Sequence, residues 1–490
     1  MSKNLVIVES PAKAKTIEKF LGPDYVVKSS IGHIRDMPKK DMGVDIENNF
    51  QPTYAISADK KKVVADLKKS VKTATKIFLA TDEDREGEAI AWHLQQALSL
   101  AEDTPRIVFH EITKGAITDA INNPRTIDTD LVNAQQARRI IDRLVGFEIS
   151  PVLWRKISGA RSAGRVQSPV VRIVVERERE ISAHNPTSSH KVKANLANSS
   201  NQSLEVKLSV DFKSKEEALS FAESVLLAEL KVNSVETKPS KRSPKAPFIT
   251  STLQQEASQK LGFSVKQTMS IAQNLYREGA ITYMRTDSLN LSELAITAAQ
   301  EVIVSKFGSE FHQTRRYKTN SSGAQEAHEA IRPTDLTKPS ILGLDDQSTK
   351  LYSLIYKRTL ASQMSDAQLQ KTKININISN RSEHFIADGE VLSFAGFLEV
   401  YDYMAAEDKL LPEVSKGDLL TLVDLASKES FSRAKPRYTE ASLVKEIEQM
   451  GIGRPSTFAT MITTVQDRNY VVKETREGVQ RDYQLIEIED

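Results

Sequence analysis

The sequence predicts an α/β domain at the N-terminus, followed by domains that are mainly α-helical. Two apolar runs, LVIV at 5–8 and KIFLA at 76–80, are each followed by a turn with acidic residues and by a segment with apolar residues at helical spacing. After residue 244 the helical period dominates, and glycine turns separate successive helices. With 490 residues the chain is long enough for roughly two to four domains, each with its own core.

Composition and charge exclude several classes of protein. The 67 Lys and Arg residues nearly balance the 65 Asp and Glu residues, so the net charge of +2 indicates no particular partner. Cysteine is absent, which excludes disulfides, thiolate zinc sites and a cysteine nucleophile. The N-terminal apolar run has only four residues, whereas a signal peptide needs about 7–15 and a membrane span about 20. We therefore expect a cytoplasmic protein that contacts no membrane.

The acidic residues of the α/β domain follow its strands. Glu9 comes directly after LVIV, and the cluster DEDREGE comes directly after KIFLA. In parallel α/β sheets, ligands bind at the carboxyl ends of the strands, so these side chains are expected at one edge. Glu9 is a candidate general acid or base, with a pKa raised by its acidic neighbours. The alternative is that Glu9 serves only a turn or a cap.

Carboxylates at Asp82, Asp84 and Glu86 are spaced i, i+2, i+4. Three carboxylates in this pattern can converge on Mg²⁺, which prefers oxygen ligands and keeps several waters. The alternative is an acid-rich helix N-terminus, which the helix dipole favours. Glu9 on the neighbouring strand end, with Lys13 close after it, favours the metal site.

A local excess of positive charge lies between residues 138 and 172. This stretch of 35 residues holds eight basic side chains against two acidic ones, although the whole chain is nearly neutral. Its RSAGRVQSP run (161–169) combines two arginines with small residues that let a backbone approach closely, which suits phosphate contact. The alternative is a solvated basic face.

The middle of the chain departs from the helical pattern. Residues 188–214 are rich in Ser and Asn and contain alternating runs such as LEVKLSV, which predict strands in a peripheral module. The stretch KPSKRSPKAP at 238–247 breaks every periodic pattern, and we interpret it as a linker.

Two later segments share a helix-turn-helix pattern. Residues 251–288 and 438–473 each show a helix that starts at Thr or Ser, a glycine turn, a second helix and a tyrosine-bearing stretch. In the first segment Tyr283 and Arg285 are two residues apart, so in an extended chain their side chains lie on the same side. The two groups could then contact one phosphate. A tyrosine nucleophile has a pKa near 10 and needs nearby cations, and a core tyrosine is the common alternative.

His328 is a further candidate, because it stands among charged residues in GAQEAHEAIRPTD. The alternative is a histidine whose hydrogen bonds are simply satisfied. A phosphate loop of the GxxxxGK[ST] type does not occur in the sequence, which disfavours a nucleotide site.

Nine motifs resemble those of the type IA family of bacterial DNA topoisomerase I. They follow the family's order between residues 1 and 472, and nine in order are highly specific. The motifs are VIVESPAKAKTI, SSIGHIRDMP, LATDEDREGEAIAWHL, NAQQARRIIDRLVGF, SAGRVQSPVVRIVVERE, APFITSTLQQEAS, EGAITYMRTDS, QEAHEAIRP and GIGRPSTFATMI.

The resemblance implies a multidomain toroid that is α/β plus mainly α. It has an N-terminal Toprim α/β domain and helix-turn-helix (winged-helix-like) modules. The implied domains are a Toprim domain (1–32 and 60–128), a DNA-binding domain (33–59, 129–184 and 432–490), a strand-rich gate or arch domain (185–243 and 371–431) and a helical domain with the tyrosine (244–370).

The resemblance also implies an activity, namely ATP-independent, Mg²⁺-dependent relaxation of negatively supercoiled DNA. One strand is cut through a 5′-phosphotyrosine, the other strand passes, and the break is resealed. Tyr283 matches the nucleophile and Arg285 the residue that steadies the scissile phosphate. Glu9 matches the acid that protonates the leaving 3′ oxygen, Lys13 supports it, and His328 matches the partner that orients an acidic residue.

The remaining implied site residues bind metal or DNA. The metal-binding candidates are Glu9, Asp82, Asp84 and Glu86. The DNA-binding candidates are His33, Arg138, Arg139, Asp142, Arg143, Arg155, Ser162, Ala163, Gly164, Arg165, Val166, Gln167 and Arg285. The expected partners are single-stranded and negatively supercoiled DNA, without a nucleotide, and the expected state is a monomer in the cytoplasm, associated with the nucleoid.

Three alternatives stay open at this point. A decatenase of the topoisomerase III type shares the Toprim and tyrosine motifs, and a decatenation assay would discriminate it. A DNA-binding protein without catalysis is disfavoured by the intact Glu9, DEDRE and Tyr283 set. The sequence also stops soon after GRPSTFATMI, where the family continues. We therefore expect a truncated form in which cleavage and binding of single-stranded DNA survive better than relaxation.

Overall fold

The computed structural model describes residues 3–318, 329–401 and 410–489. The helices in these ranges are α1 (Pro11–Leu21), α2 (Lys61–Thr73), α3 (Arg85–Leu98), α4 (Lys114–Asn122), α5 (Thr129–Lys156), α6 (Gln167–Ala183), α7 (Lys215–Val225), α8 (Thr250–Leu261), α9 (Val265–Arg277), α10 (Glu293–Phe307), α11 (Asp346–Ser362), α12 (Glu440–Gln449) and α13 (Phe458–Asp467). In the described part of the chain, none of them has the length and apolar character needed to cross a membrane.

The strands fall into one small parallel sheet, one large sheet and two short antiparallel pairs. They are β1 (Asn4–Val8), β2 (Tyr25–Ser29), β3 (Arg35–Asp36), β4 (Val44–Asp45), β5 (Gln51–Pro52), β6 (Ala55–Ile56), β7 (Ile77–Leu79), β8 (Ser188–Ala197), β9 (Ser203–Leu208), β10 (Leu230–Arg242), β11 (Ala367–Ile378), β12 (His384–Phe394), β13 (Leu419–Phe431) and β14 (Leu485–Glu489).

The N-terminal α/β domain has the predicted order of strand, acidic turn and helix. Its sheet has the order β2–β1–β7, and both pairings are parallel. Strand β1 is buried almost throughout, which is why it is a continuous apolar run. Ser10 caps α1 and Pro11 occupies its first turn, while Asp84 caps α3 by accepting from the backbone N–H of Gly87 at 2.9 Å.

A buried arginine holds the turn between β7 and α3. Arg106 has no exposed surface, and its guanidinium donates to the carbonyl oxygens of Thr81 (2.9 Å) and Asp82 (2.7 Å). It also contacts the equally buried carboxylate of Glu88 at 3.2 Å. A guanidinium can be buried only when it is paired and its donors are used, so this arrangement fixes the acidic turn from below.

The large sheet closes on itself. Its order is β10–β11–β12–β9–β8–β13–β14, and β10 also pairs with β13 through Leu230 and Lys231. The predicted strands of residues 188–214 are confirmed as β8 and β9. The linker predicted at 238–247 is wrong for residues 238–242, which belong to β10. Pro239 lies opposite Gln370 where β10 pairs only with β11, and proline is tolerated at such an edge.

Both predicted helix-turn-helix segments contain two helices joined at a glycine turn. They are α8 with α9 and α12 with α13, and Gly262 between α8 and α9 has φ +69°, in the left-handed region. The winged-helix form is not shown. Strand β14, which follows α13, pairs antiparallel with β13 of the large sheet.

The loop region at residues 33–59 packs against α5. Arg143 donates to the carbonyl oxygens of Met37 (3.1 Å) and Pro38 (2.6 Å), and Arg139 forms an ion pair with Asp36. This contact agrees with a domain that combines 33–59 with 129–184. The four domain boundaries themselves stay predictions.

We predict that His93 on α3 stays neutral down to pH 5. Its ring is buried against Tyr54 at 4.6 Å, and burial, with Arg35 and His33 adding to it, lowers its pKa from 6.5 to about 3. Below pH 6.5 the unfolded chain therefore binds a proton that the folded chain does not. As the pH is lowered below 6.5, the contribution of His93 to the free energy of unfolding therefore decreases, by up to about 1.4 kcal/mol per pH unit. A ring titration by NMR with a midpoint near 6.5 would contradict this.

We also predict that Gly87→Ala disrupts the acidic turn. A Cβ at Gly87 would lie inside van der Waals contact of the Asp82 carbonyl, 2.6 Å from its carbon and 2.8 Å from the Asp82 nitrogen. The backbone must shift, which costs about 1–3 kcal/mol of unfolding free energy. The matched control is Gly115→Ala on α4, where a Cβ meets nothing within 4 Å. Equal unfolding midpoints in urea for both variants would refute the prediction.

Candidate active site

The site forms where the acidic turn meets the segment after α9. Tyr283 donates through its hydroxyl to Asp84 Oδ2 at 2.6 Å, and Arg285 Nη1 lies 3.5 Å from the same oxygen. Both groups thus lie against the same oxygen of Asp84, and their predicted contact with one phosphate stays a prediction. Tyr283 is 2% exposed, and burial with Asp84 and Asp82 raises its pKa well above 10. The tyrosine is neutral in this arrangement.

Single backbone contacts, and not a regular strand, hold the tyrosine segment. The N–H of Tyr283 donates to the carbonyl of His110 at 2.9 Å, and that of Thr282 donates to the carbonyl of Arg332 at 2.9 Å. The tyrosine-bearing stretch forms only an isolated bridge, between Ile281 and Pro333. The contact with His110 joins the tyrosine segment to the predicted Toprim segment (60–128), whereas the contact with Arg332 lies within the predicted helical domain (244–370).

Lys13 is a buried cation between two carboxylates. Its Nζ lies 2.9 Å from Asp82 Oδ1 and 3.2 Å from Glu9 Oε1, and its side chain has no exposed surface. Burial lowers the pKa of Lys13, but Asp82 and Glu9 outweigh burial and raise it above its usual value. Lys13 therefore stays charged and holds the two carboxylates together.

Glu9 has a pKa suited to proton transfer near neutral pH. Burial raises the pKa from 4.5 to about 7, Lys13 opposes this, and Asp82 adds to it. The sequence predicted a raised pKa but attributed it to acidic neighbours, whereas burial is the larger cause. A carboxyl with such a pKa is available as an acid or as a base at pH 7.

The three carboxylates predicted to bind metal each contact a different partner. Asp82 contacts Lys13, and Asp84 caps α3 and accepts from Tyr283. Glu86 lies 3.4 Å from His33 Nε2 and accepts from Gln135 at 3.2 Å. These contacts outweigh burial and lower its pKa to about 2. Within the described ranges no three acidic or histidine side chains form a group that could hold a metal ion. The donors suit a hard divalent cation, but their convergence stays a prediction.

The predicted DNA-binding arginines are partly engaged within the chain. Asp142 lies 3.0 Å from Arg165 and 4.0 Å from Arg138. Arg139 and Arg143 hold the loop at 36–38. Arg165 is partly exposed and forms its ion pair with Asp142 on α5.

The SAGRVQ segment forms the turn before α6. Backbone N–H groups of Ala163 and Gly164 donate to Ser150 Oγ (3.1 Å) and Ser168 Oγ (3.2 Å). Gln167 donates to the carbonyl of Ser162 at 3.2 Å, and Val166 directly precedes α6. The Tyr470 hydroxyl accepts from the Ser162 N–H at 2.8 Å, while Arg155 donates within α5 to Pro151. His328 lies outside the described residues.

The sequence interpretation missed three groups at the site. Arg106 stands in an apolar stretch without a local motif, and its partners lie 18 to 27 positions away. Glu83 forms an ion pair with His110, whose carbonyl accepts from Tyr283. Tyr276, on the apolar face of α9, lies edge-on to Tyr283 with ring centroids 5.1 Å apart. In the sequence, Tyr276 lies in a helical apolar pattern, which is typical of a core residue and indicates no functional role.

Comparison with known proteins identifies the family. A Toprim domain matches residues 4–112, and the DNA topoisomerase family matches residues 126–482. DNA topoisomerase 1 of Streptomyces coelicolor is 46% identical over 96% of this chain and 56% of its own length. DNA topoisomerase 1 of Escherichia coli is 45% identical over 97% of this chain and 60% of its own length. The chain therefore spans little more than half of these relatives.

A solved structure shows the same architecture. The full-length topoisomerase I of Thermotoga maritima aligns with a TM-score of 0.87 at 40% identity, covering 96% of this chain and 79% of that one. At this identity the likeness extends beyond the fold to the family. With a Toprim domain that supplies the acidic turn and a second region that supplies the buried tyrosine, the chain belongs to the bacterial DNA topoisomerase I family.

Proposed function

We propose that this protein relaxes negatively supercoiled DNA without ATP, by cutting one strand through a 5′-phosphotyrosine, passing the other strand and resealing. The observation that carries the proposal is the contact between Tyr283 and Asp84. It brings a nucleophile and an acidic turn together from positions 199 residues apart. The proposal includes action as a monomer on cytoplasmic, nucleoid-associated DNA.

In the proposed cleavage one phosphorus–oxygen bond replaces another. Tyr283 Oη attacks the phosphorus and releases its proton towards Asp84, to which it already donates. The bond to the 3′ oxygen breaks, and Glu9, with its pKa of about 7, supplies the proton that the leaving oxygen takes up. Because the bond energy stays in the tyrosyl ester, resealing needs no nucleotide. Arg285 is the cation placed to steady the phosphate.

Mg²⁺ is the proposed cofactor, and Glu9, Asp82, Asp84 and Glu86 are the residues that would hold it. A divalent cation here would offset the repulsion between a DNA phosphate and these carboxylates. In the described structure Lys13 supplies positive charge between Glu9 and Asp82. His33 does the same for Glu86 when its ring is protonated.

The proposed DNA path follows α5 and the SAGRVQ turn, where positive charge is in excess. Arg138, Arg143 and Arg165 lie along it, and Arg285 extends it to the tyrosine. Phosphate contacts of this kind position the strand and carry no base information.

We predict that Tyr283→Phe abolishes a covalent protein–DNA product. The substitution removes the attacking oxygen and keeps the ring. An end-labelled single-stranded oligonucleotide is incubated with the protein and Mg²⁺, without ATP, and quenched with denaturant. Wild-type protein should become attached to the 5′ phosphate of the cut strand, and the variant should not. Attachment in the variant would identify a different nucleophile, and no attachment in either protein would refute the proposal.

We predict that Arg165→Ala weakens binding of single-stranded DNA without lowering stability. Removing one phosphate-binding cation should reduce the slope of log K against log salt by about 0.7. The matched control is Arg316→Ala, outside the 138–172 stretch, whose side chain is 65% exposed and forms an ion pair with Glu293. Fluorescence anisotropy over a salt range of about 50 to 200 mM measures both slopes. Equal slopes for the two variants would remove Arg165 from the DNA path.

A further inference from the structure

The Tyr276 hydroxyl is buried at the site without a partner. The residue lies in the last turn of α9 and is 2% exposed. Its Oη has no hydrogen-bond partner within the described part of the chain. Burial, with Asp82 and Glu83 as the next causes, raises its pKa well above 10. The hydroxyl therefore keeps its proton and is a neutral donor.

An unused buried donor needs an explanation. Removing a hydroxyl from water without a new hydrogen bond costs free energy, and a phenylalanine would fill the same space without that cost. The neighbouring carboxylates could accept further hydrogen bonds, yet within the described residues the Tyr276 hydroxyl makes none with them. The donor is thus available for a group that is absent from this arrangement.

The position of Tyr276 identifies that group. Its ring centroid lies 5.1 Å from that of Tyr283 and 5.8 Å from Lys13 Nζ, so it contacts both groups. In the proposed reaction, the phosphorus joins Tyr283 Oη while its 3′ oxygen leaves towards Glu9, which Lys13 contacts. The non-bridging oxygens of that phosphate must therefore lie in the region between Tyr283 and Lys13, beside Tyr276.

We propose that Tyr276 is a further catalytic residue, whose hydroxyl donates a hydrogen bond to a non-bridging oxygen of the scissile phosphate. The inference rests on the proposed cleavage function. Tyr276 keeps its proton throughout, while the bond to Tyr283 forms and the bond to the 3′ oxygen breaks. Lys13 and Arg285 are already paired with carboxylates, whereas this neutral donor can meet the phosphate without breaking an ion pair.

The test compares Tyr276→Phe with wild type in single-turnover cleavage of an end-labelled single-stranded oligonucleotide. We expect the cleavage rate to fall by roughly 100-fold, the usual effect of removing one donor to a transition-state oxyanion. The dissociation constant for the same oligonucleotide should stay within about two-fold. The thermal midpoint should stay equal or rise, because an unsatisfied hydroxyl is removed.

The matched control is Tyr352→Phe on α11. Tyr352 is equally buried, but its hydroxyl donates to the carbonyl of Lys338 at 2.7 Å, away from the site. This variant should lose stability and keep the cleavage rate. Tyr276→Phe should lower the cleavage rate and keep stability, whereas Tyr352→Phe should lower stability and keep the cleavage rate. If Tyr276 had only a structural role, its substitution would lower stability instead.

Substrates with a stereochemically defined scissile phosphate identify the oxygen that Tyr276 contacts. With the two phosphorothioate diastereomers at the scissile position, sulfur replaces one non-bridging oxygen at a time and accepts hydrogen bonds poorly. In the diastereomer whose sulfur replaces the oxygen that Tyr276 contacts, wild type already cleaves slowly, and Tyr276→Phe should slow cleavage little further. In the other diastereomer, Tyr276→Phe should slow cleavage as much as it does with the unmodified phosphate. Equal effects on both, or recovery of the rate at higher Mg²⁺, would overturn the contact.

Failure of the inference is distinguishable from failure of the proposed function. If wild-type protein forms no covalent product, the cleavage function is wrong and this inference falls with it. If wild type cleaves, Tyr283→Phe does not, and Tyr276→Phe cleaves at the wild-type rate, then only the role of Tyr276 is refuted.

Discussion

The site depends on the burial of Arg106 beneath the acidic turn. Its guanidinium has no exposed surface and is satisfied by Glu88 and by the carbonyl oxygens that lead into the turn. A buried cation without these partners would be costly, so the turn cannot relax while Arg106 stays in place. The acidic turn then orients Asp82 so that it contacts Lys13, and Asp84 so that it accepts a hydrogen bond from Tyr283. The chemistry of the site thus rests on one ion pair that touches no substrate.

Positive and negative side chains lie close together at the site. Lys13 and Arg285 offset part of the acidic charge, and burial brings the pKa of Glu9 to about 7. The same burial raises the pKa of Tyr283 well above 10, so its hydroxyl keeps its proton in this arrangement. The attack on phosphorus that we propose for it therefore requires positive charge close by.

The sequence predicted the elements better than the contacts between them. Apolar runs and the helical spacing of apolar residues located β1, β7, α1 and α3, because each signal lies within a few residues. Prolines misled the interpretation of 238–242, since β10 is stabilised by pairing with β11, more than 100 positions later. At the site, the motifs supplied Glu9 and Tyr283, but the contacts of Arg106 with Leu79 and Glu88 follow from tertiary packing. The position of Tyr276 beside the Tyr283 ring follows from tertiary packing as well. The sequence predicted which carboxylates lie in the acidic turn, whereas the different partner that each of them contacts depends on tertiary packing.

The proposed strand passage requires the acidic turn and the segment that carries Tyr283 to separate, which breaks polar contacts and exposes apolar surface. Tyr283 to Asp84, Arg332 to Glu111 at 3.0 Å, and Thr16 to the carbonyl of Arg277 at 3.0 Å cross the interface. A single buried apolar cluster also runs across it, with Val8 and Ile17 on one side and Leu275 on the other. Separation therefore exposes apolar surface at about 25 cal/mol per Å², besides breaking hydrogen bonds. In the strand passage that we propose, DNA binding would have to offset this cost. Burying the same apolar surface again would then favour the closure that brings the tyrosyl ester back to the broken end.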